Sequence, residues 1–258
     1  MAGILIPVLA GLLAGFGTGF AGLSAAVFIA PMLTAFLHVD TFSAIGIALA
    51  SDVLASAVSG LTYHRHGNTD LKNSWLLIVV VLLFAVVGSV AAHFFTGISV
   101  GESIMAWWLV VATFFLGAKL LIFPSQAERN GRKVLPLPDR AVMVLCGIYI
   151  GFVCGFQGTG GGLMLLFTLN ILLGIDFKKS VGTSVCIMAA TALIGTASHF
   201  ALRGLPDVQL LVICMAFTLI GAQIAAVIAN RVQPVTLKRA TGAMMSVSAL
   251  FMVLAKLL

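Results

Sequence analysis

The sequence predicts an all-α polytopic membrane protein of two inverted repeats, each a glycine-tipped helical hairpin plus three transmembrane helices. Composition, an internal duplication and the distribution of charge carry that reading. Of 258 residues, 61% are hydrophobic and 9% charged, against roughly 25% charged in soluble domains. Two glycine-rich stretches, Gly15 to Gly22 and Gly155 to Gly162, are related by a shift of 136 positions. That shift carries Gly11, Gly15, Phe16, Gly19, Phe20, Gly22, Leu33, Leu37, Asp40 and Gly46 onto Gly147, Gly151, Phe152, Gly155, Phe156, Gly158, Leu169, Leu173, Asp176 and Gly182. With one residue inserted, Gly67-Asn68-Thr69-Asp70 meets Gly204-Leu205-Pro206-Asp207. Paired halves with glycine-broken apolar segments in corresponding places mark transporter folds and point to the substrate site.

Apolar runs of about 20 residues can cross a bilayer. They fall at 41–63, 75–97 and 103–123 in the first repeat (1–123), and at 178–202, 208–229 and 239–258 in the second (139–258). The stretches 3–37 and 139–173 are too long for one crossing, since 35 residues of helix measure about 52 Å against a hydrocarbon core of about 30 Å. Each is expected to be a hairpin with arms of about 13 to 17 residues that returns to its own side. Residues 124–138, rich in proline, glycine and charge, read as a linker between the halves.

Charge sets the expected topology. If the hairpins return, the loops at 64–74, 119–140, 174–180 and 230–239 share one side and hold twelve of the fourteen lysines and arginines, leaving Arg203 and Lys256 opposite. Single crossings would split the charges nine to five. The positive-inside rule therefore favours returning hairpins in an inner membrane, with the linker cytoplasmic and both termini outside. Each half then crosses an odd number of times, which inverts the second repeat and brings the two glycine tips together near the midplane. The net charge of +6 is accounted for by topology, and no nucleic-acid partner is expected. The partners expected are the lipid bilayer, a small anion and protons; a homodimer is compatible with the sequence.

Where a helix restarts after a glycine turn, its first N–H groups point free at the positive end of the dipole and can bind an anion. Gln157, Gly158, Thr159, Gly160, Gly161 and Gly162 stand at one restart; Thr18, Gly19, Gly22 and Ser24 stand at the other. Gly11, Gly15 and Gly19, spaced by four, serve close helix packing equally well. Four glycines within 158–162 suit packing poorly, because they would cost several kcal/mol in a continuous helix. Thr183 and Ser184 sit early in the next helix, where their hydroxyls could line the same cavity or bond back to the preceding turn. Asn170 and Gln223 read as interhelical hydrogen-bonding residues, and His199 as an interfacial residue near the outer face.

Asp52 lies about 18 Å into its helix, and an ionisable group at such depth is costly and a functional candidate. It could exchange protons with the transport cycle, or serve as a neutral structural group. Its repeat mate is Met188. All four cysteines, Cys146, Cys154, Cys186 and Cys214, lie in apolar runs with no metal-site spacing. They read as small core residues, although Cys154 and Cys186 are near the glycine segments. No metal and no cofactor are expected. The chain has no GxxxxGK[ST] run, Ser24 lacks the flanking glycine and paired histidine of an intramembrane hydrolase, and Glu102 and Glu128 fall in loops. These observations argue against an enzyme.

The glycine hairpins, Tyr63-His64-Arg65-His66-Gly67-Asn68-Thr69-Asp70, and Ser180-Val181-Gly182-Thr183-Ser184 together resemble the TauE/SafE sulfite exporter family, also called the toluene-sulfonate uptake permease family. The resemblance covers nearly the whole chain. It implies transport of sulfite or a small organosulfur anion such as sulfoacetate, usually outward and coupled to protons. The first repeat reads Gly46-Ile47-Ala48 and Ser24-Ala25-Ala26 where the second reads Gly182-Thr183-Ser184 and Gly160-Gly161-Gly162. Polar contacts to the anion are therefore expected mainly from the second repeat. An alternative chemistry places Cys154 or Cys186 against a sulfur substrate such as thiosulfate.

Overall fold

The computed structural model describes residues 2–94, 114–115, 117–122, 138–157 and 161–257, and these are helical apart from short connections. In chain order they form α1 (Ala2–Ala21), a 3-10 turn (Ala25–Val27), α2 (Ile29–Leu37), α3 (Thr41–Arg65), α4 (Trp75–Phe94) and α5 (Asp139–Gln157). Then come α6 (Gly162–Phe167), which runs on into a π-helical stretch (Thr168–Leu172), α7 (Phe177–Arg203), α8 (Val208–Arg231) and α9 (Pro234–Leu257). Among the described residues five segments are long and apolar enough to cross a membrane: Gly3–Ala21, Thr41–Arg65, Asp139–Phe156, Phe177–Ala201 and Val208–Arg231. Of the run at 103–123 only 114–115 and 117–122 are described, and of the linker at 124–138 only residue 138.

Both long glycine-bearing segments are broken, but unequally. The first arm of the first segment has 20 residues and the second only nine. The cause is that Gly11, Gly15 and Gly19 remain helical, because each is pressed against α8. A Cβ on Gly11 would lie 3.0 Å from the Cys214 carbonyl oxygen, one on Gly15 2.7 Å from the Ala222 nitrogen, and one on Gly19 2.5 Å from the Ala222 carbonyl oxygen. Contacts advance together along both chains, so α1 and α8 run parallel at a separation only glycine permits.

The second repeat repeats this arrangement with the partners exchanged. Gly147 meets Leu77 and Val80, Gly151 meets Val81 and Phe84, and Gly155 meets Ala85 and Ser89, so α5 runs parallel to α4. Under the internal alignment Val81, Ala85 and Ser89 correspond to Thr218, Ala222 and Ala226. The first arm of each half thus rests on a helix of the other half.

Between these pairs lie the repeat mates α3 and α7. Gly46 faces His199 and Phe200, Gly195 faces Leu49, Gly60 faces Cys186, and Gly182 faces Tyr63 and Asn68. The register descends on one helix as it rises on the other, so the two mates pack antiparallel. Asp40 caps α3, accepting from the backbone N–H groups of Phe42 (3.0 Å) and Ser43 (3.3 Å). Asp207 caps α8 in the same way, from Gln209 (2.8 Å) and Leu210 (3.2 Å). Large apolar side chains on α1, α4 and α8, among them Leu5, Leu83, Val87 and Ile220, are exposed and suit contact with lipid.

Two predicted polar residues can be placed. Gln223 joins helices, since its Oε1 accepts from the Thr62 hydroxyl at 3.1 Å. Asn170 does not: its side-chain amide donates to the Ile175 carbonyl at 2.9 Å and closes the local turn before α7. A residue five positions away satisfies the amide before another helix can reach it. His199 stacks on Phe42 with ring centroids 4.2 Å apart, where the end of α7 meets the start of α3.

The glycine contacts set opposite expectations for two substitutions on one helix. Gly15→Ala forces a methyl onto the backbone of α8 and should lower stability by about 1–3 kcal/mol. Gly3→Ala meets nothing within 4 Å and should be neutral or stabilising by up to about 1 kcal/mol. Unfolding of the two purified variants in detergent, compared with the parent protein, measures both.

Candidate functional site

α1 ends at Gly22, whose φ of 64° is left-handed and free of strain only for glycine. The Gly22 N–H donates to the Thr18 carbonyl (3.0 Å) and the Leu23 N–H to the Gly17 carbonyl (3.1 Å). The Thr18 hydroxyl, fully buried, reaches the carbonyls of Ala14 (3.0 Å) and Leu23 (2.9 Å) and, at 3.4 Å, Oδ1 of Asp52. The hydroxyl thereby offers a partner to the Leu23 carbonyl beyond the break, while its contact with Ala14 is the usual back-bond to the preceding turn.

Asp52 stands near the middle of α3, 11 residues after Thr41 and 13 before Arg65, and is completely buried. The Ser24 hydroxyl donates to its Oδ2 at 2.6 Å. The Ala25 backbone also hydrogen-bonds to the carboxyl group. Ser24 in turn accepts from the Ala26 N–H at 3.3 Å. The tip of the first repeat is thus wired to the one acidic side chain at mid-helix depth in α3. Tyr63, also fully buried, donates from its hydroxyl to the Gly19 carbonyl at 3.0 Å and ties α3 to α1 a second time.

The second break touches the first. A Cβ on Gly162 would coincide with the Gly22 carbonyl oxygen and lie 2.7 Å from the Met188 sulfur. A Cβ on Gly22 would lie 2.8 Å from the Ser184 hydroxyl oxygen. Gly161 is left-handed (φ 67°), and its missing side chain leaves room for the Cys154 sulfur. Gly22, Gly161, Gly162, Ser184, Thr18, Ser24 and Asp52 therefore converge on one region. Gly158, Thr159 and Gly160 lie outside the described residues, and so does the side chain of Gln157.

Other candidates are placed elsewhere. Gly19 packs against α8 through its face and serves Tyr63 through its carbonyl. Thr183 turns away from the breaks, and its hydroxyl oxygen accepts from the Asp70 N–H at 2.8 Å. Ser184, one residue on, donates to the Val181 carbonyl at 2.8 Å and is the hydroxyl that remains beside Gly22. Cys154 is buried behind Gly161, whereas Cys186 lies between α3 and α7 against Gly60. Among the described residues the first break gathers Thr18, Ser24 and Asp52 of the first repeat and Ser184 of the second. Tyr63 and Met188 join the region without a motif of their own; the signal in the sequence is the spacing of Tyr63 from Asp52, 11 residues or three turns.

A sequence profile of the family described as sulfite exporter TauE/SafE matches residues 7–252, and the chain belongs to that family. It is 29% identical over 243 residues to "Probable membrane transporter protein YdhB" of Bacillus subtilis (strain 168), covering 92% of this chain and 93% of the relative. A "Probable membrane transporter protein" of Haemophilus influenzae is 26% identical over 209 residues, 77% of this chain and 73% of that one. "Probable membrane transporter protein YtnM" of Bacillus subtilis is 27% identical over 236 residues, 90% of this chain and 76% of the relative. No solved structure matches. The chain is a multi-pass membrane protein of a transporter family.

The hydrogen bond between Ser24 and Asp52 has a measurable weight. Ser24→Ala leaves a buried carboxyl oxygen without its nearest donor and should lower stability by about 1–3 kcal/mol. Ser24→Thr should recover much of the loss. A double-mutant cycle with Asp52→Asn, followed by unfolding in detergent, isolates the pairwise contribution.

Proposed function

We propose that the protein is a proton-coupled secondary transporter that exports sulfite or another small sulfur oxyanion, held where the two glycine breaks meet. The observation that carries this reading is the convergence of Gly22, Gly162 and Ser184 beside an Asp52 bound to Thr18 and Ser24. Glycine lets a ligand approach the backbone, and hydroxyl and N–H groups supply donors without a fixed cation. The anion is cradled by the first break, from Thr18 to Ser24, and by the second, from Gln157 to Gly162.

Asp52 supplies the coupling. As a carboxylate it accepts from Ser24 and Thr18, and its charge opposes an anion at the adjoining breaks. Even about 8 Å apart, two like charges at an effective dielectric of about 20 repel by about 2 kcal/mol, roughly a thirtyfold loss of affinity. A proton on Asp52 removes that repulsion and turns one carboxyl oxygen into a donor. The Ser24 hydroxyl is then released to bond the anion. Anion and proton bind together and leave together, so export runs outward only while the outward gradient of the anion outweighs the inward gradient of protons.

The antiparallel register of α3 and α7, with the exchanged packing of α1 on α8 and α5 on α4, supports two inverted repeats related by an axis in the membrane plane. The loop after α3 touches the start of α7 and the end of α8, so the loops at 64–74, 174–180 and 230–239 share one end of the bundle. This agrees with a cytoplasmic placement of those loops and of the linker at 124–138, in an inner membrane with both termini outside. A second chemistry has one observation in its favour. Cys154 lies directly behind Gly161, so thiosulfate contact would fall to Cys154 and not to Cys186.

Thermal stabilisation of the purified protein by sulfite, thiosulfate, sulfoacetate, sulfate, acetate and divalent cations tests the site. One or more sulfur oxyanions should stabilise the protein, with affinity falling as pH rises. Asp52→Asn, which is neutral at every pH, should bind the same anion with little dependence on pH and should fail to accumulate it in proteoliposomes under a proton gradient. Stabilisation by cations alone, or anion binding by Asp52→Asn that still weakens as pH rises, contradicts the proposal.

A further inference from the structure

The motif that follows α3 and the motif that opens α7 are docked on one another. Gly182 is tight against the Asn68 carbonyl, which occupies the place of its missing side chain. The adjacent Thr183 hydroxyl accepts from the Asp70 N–H at 2.8 Å. From the same loop, Asn68 Nδ2 donates to Oδ1 of Asn230, near the end of α8, at 2.6 Å. Lys178 Nζ, at the start of α7, donates to the Asn230 backbone carbonyl at 2.9 Å. The loop itself is closed by the Asn68 N–H on the Tyr63 carbonyl at 2.9 Å. Three elements are therefore tied at one end of the bundle by side chains that span 113 and 162 positions of sequence.

The opposite end has the same backbone plan and different chemistry. Under the internal alignment Asn68 corresponds to Leu205, Thr183 to Ile47, Lys178 to Phe42 and Asn230 to His93, whose side chain lies outside the described residues. The first three of these side chains offer no hydrogen-bond donor or acceptor. Gly46, the mate of Gly182, has the Phe200 ring at 3.5 Å as its nearest neighbour, an ordinary van der Waals approach. A void of about 30 Å³ remains there, between Phe42, His199, Phe200, Leu205 and Pro206.

We infer that the Asn68–Asn230–Lys178 network and the Asp70–Thr183 bond form a latch that closes one end of the transport path. Each of these bonds has a partner whose mate, Leu205, Ile47 or Phe42, cannot make it, so the same set cannot form at the other end and the latched state is the resting state. The inference rests on the transport reading, though not on the identity of the substrate. Two related states that exchange the roles of the repeats would be of equal energy in a symmetric chain. The latch breaks that equality, since its hydrogen bonds exist in one state only. Loss of one such bond should change the ratio of the two states by roughly two- to twelvefold.

The test uses the full chain without its native cysteines, reconstituted in vesicles, with Ser184→Cys as reporter beside Gly22. Alkylation by a membrane-impermeant maleimide should proceed from the 204–207 end and be slow from the latch end. Asn230→Ala or Thr183→Val should raise labelling from the latch end two- to twelvefold while unfolding temperature stays near that of the parent. Unchanged labelling in a folded variant overturns the inference. If those variants fail to fold, the pair Asn68→Cys and Asn230→Cys replaces them. Oxidation should join the pair in the resting protein and stop transport until reductant is added; failure to cross-link, or transport by the cross-linked protein, overturns it. The labelling arm needs no substrate, so loss of sulfur-oxyanion binding would count against the proposed function and leave the latch standing.

Discussion

A helix that stops inside an apolar bundle strands carbonyls at its end and N–H groups at the next start, and nothing in lipid can satisfy them. The break at Gly22 meets that constraint with very few groups. The N–H groups of Gly22 and Leu23 take the carbonyls of Thr18 and Gly17, the Thr18 hydroxyl reaches the Leu23 carbonyl, and Ser24 caps the short turn that follows. Asp52 accepts from Ser24 in its turn. Under the proposed function the same donors and acceptors, held close to a gap in a helix, are the groups a small polar solute needs.

Close packing holds the break in place. The glycine face of α1 brings its backbone onto α8, and Tyr63 anchors the final turn through the Gly19 carbonyl. In the absence of a hydrophobic driving force between helices in lipid, such backbone approach is the main source of specificity. The exchanged arrangement, in which each half supplies the surface for the other half's first arm, leaves the two breaks facing each other. Position is therefore a property of the whole bundle and not of either half.

Much of the architecture was legible because the bilayer imposes a length and a composition that few other structures satisfy. Among the described residues helices lie where the apolar runs are, and the depth of Asp52 in its run marks it without reference to its partners. Other features were ambiguous for identifiable reasons. Gly11, Gly15 and Gly19 carry both a packing spacing and a glycine-rich composition, and only contact with α8 decides between them. Thr183 and Ser184 are adjacent and similar, but helical periodicity turns them about 100° apart, one to the loop at Asp70 and one to Gly22. Asn170 satisfied itself locally, which no periodicity reveals. The tying of Asn68 to Asn230 joins residues 162 positions apart and has no local signal at all.

The exchanged packing also has a consequence for how the protein is made. Gly15 and Ala222, which touch in the finished molecule, are more than 200 residues apart, a gap of about 10–40 s at a synthesis rate of about 5–20 residues per second. For that interval the nascent first arm sits in the membrane with its glycine face bare and its true neighbour still untranslated. Until then that face meets lipid, the insertion machinery or the rest of the first half. Biogenesis of this protein is therefore a problem of waiting, and its most exposed moment comes before the second repeat exists.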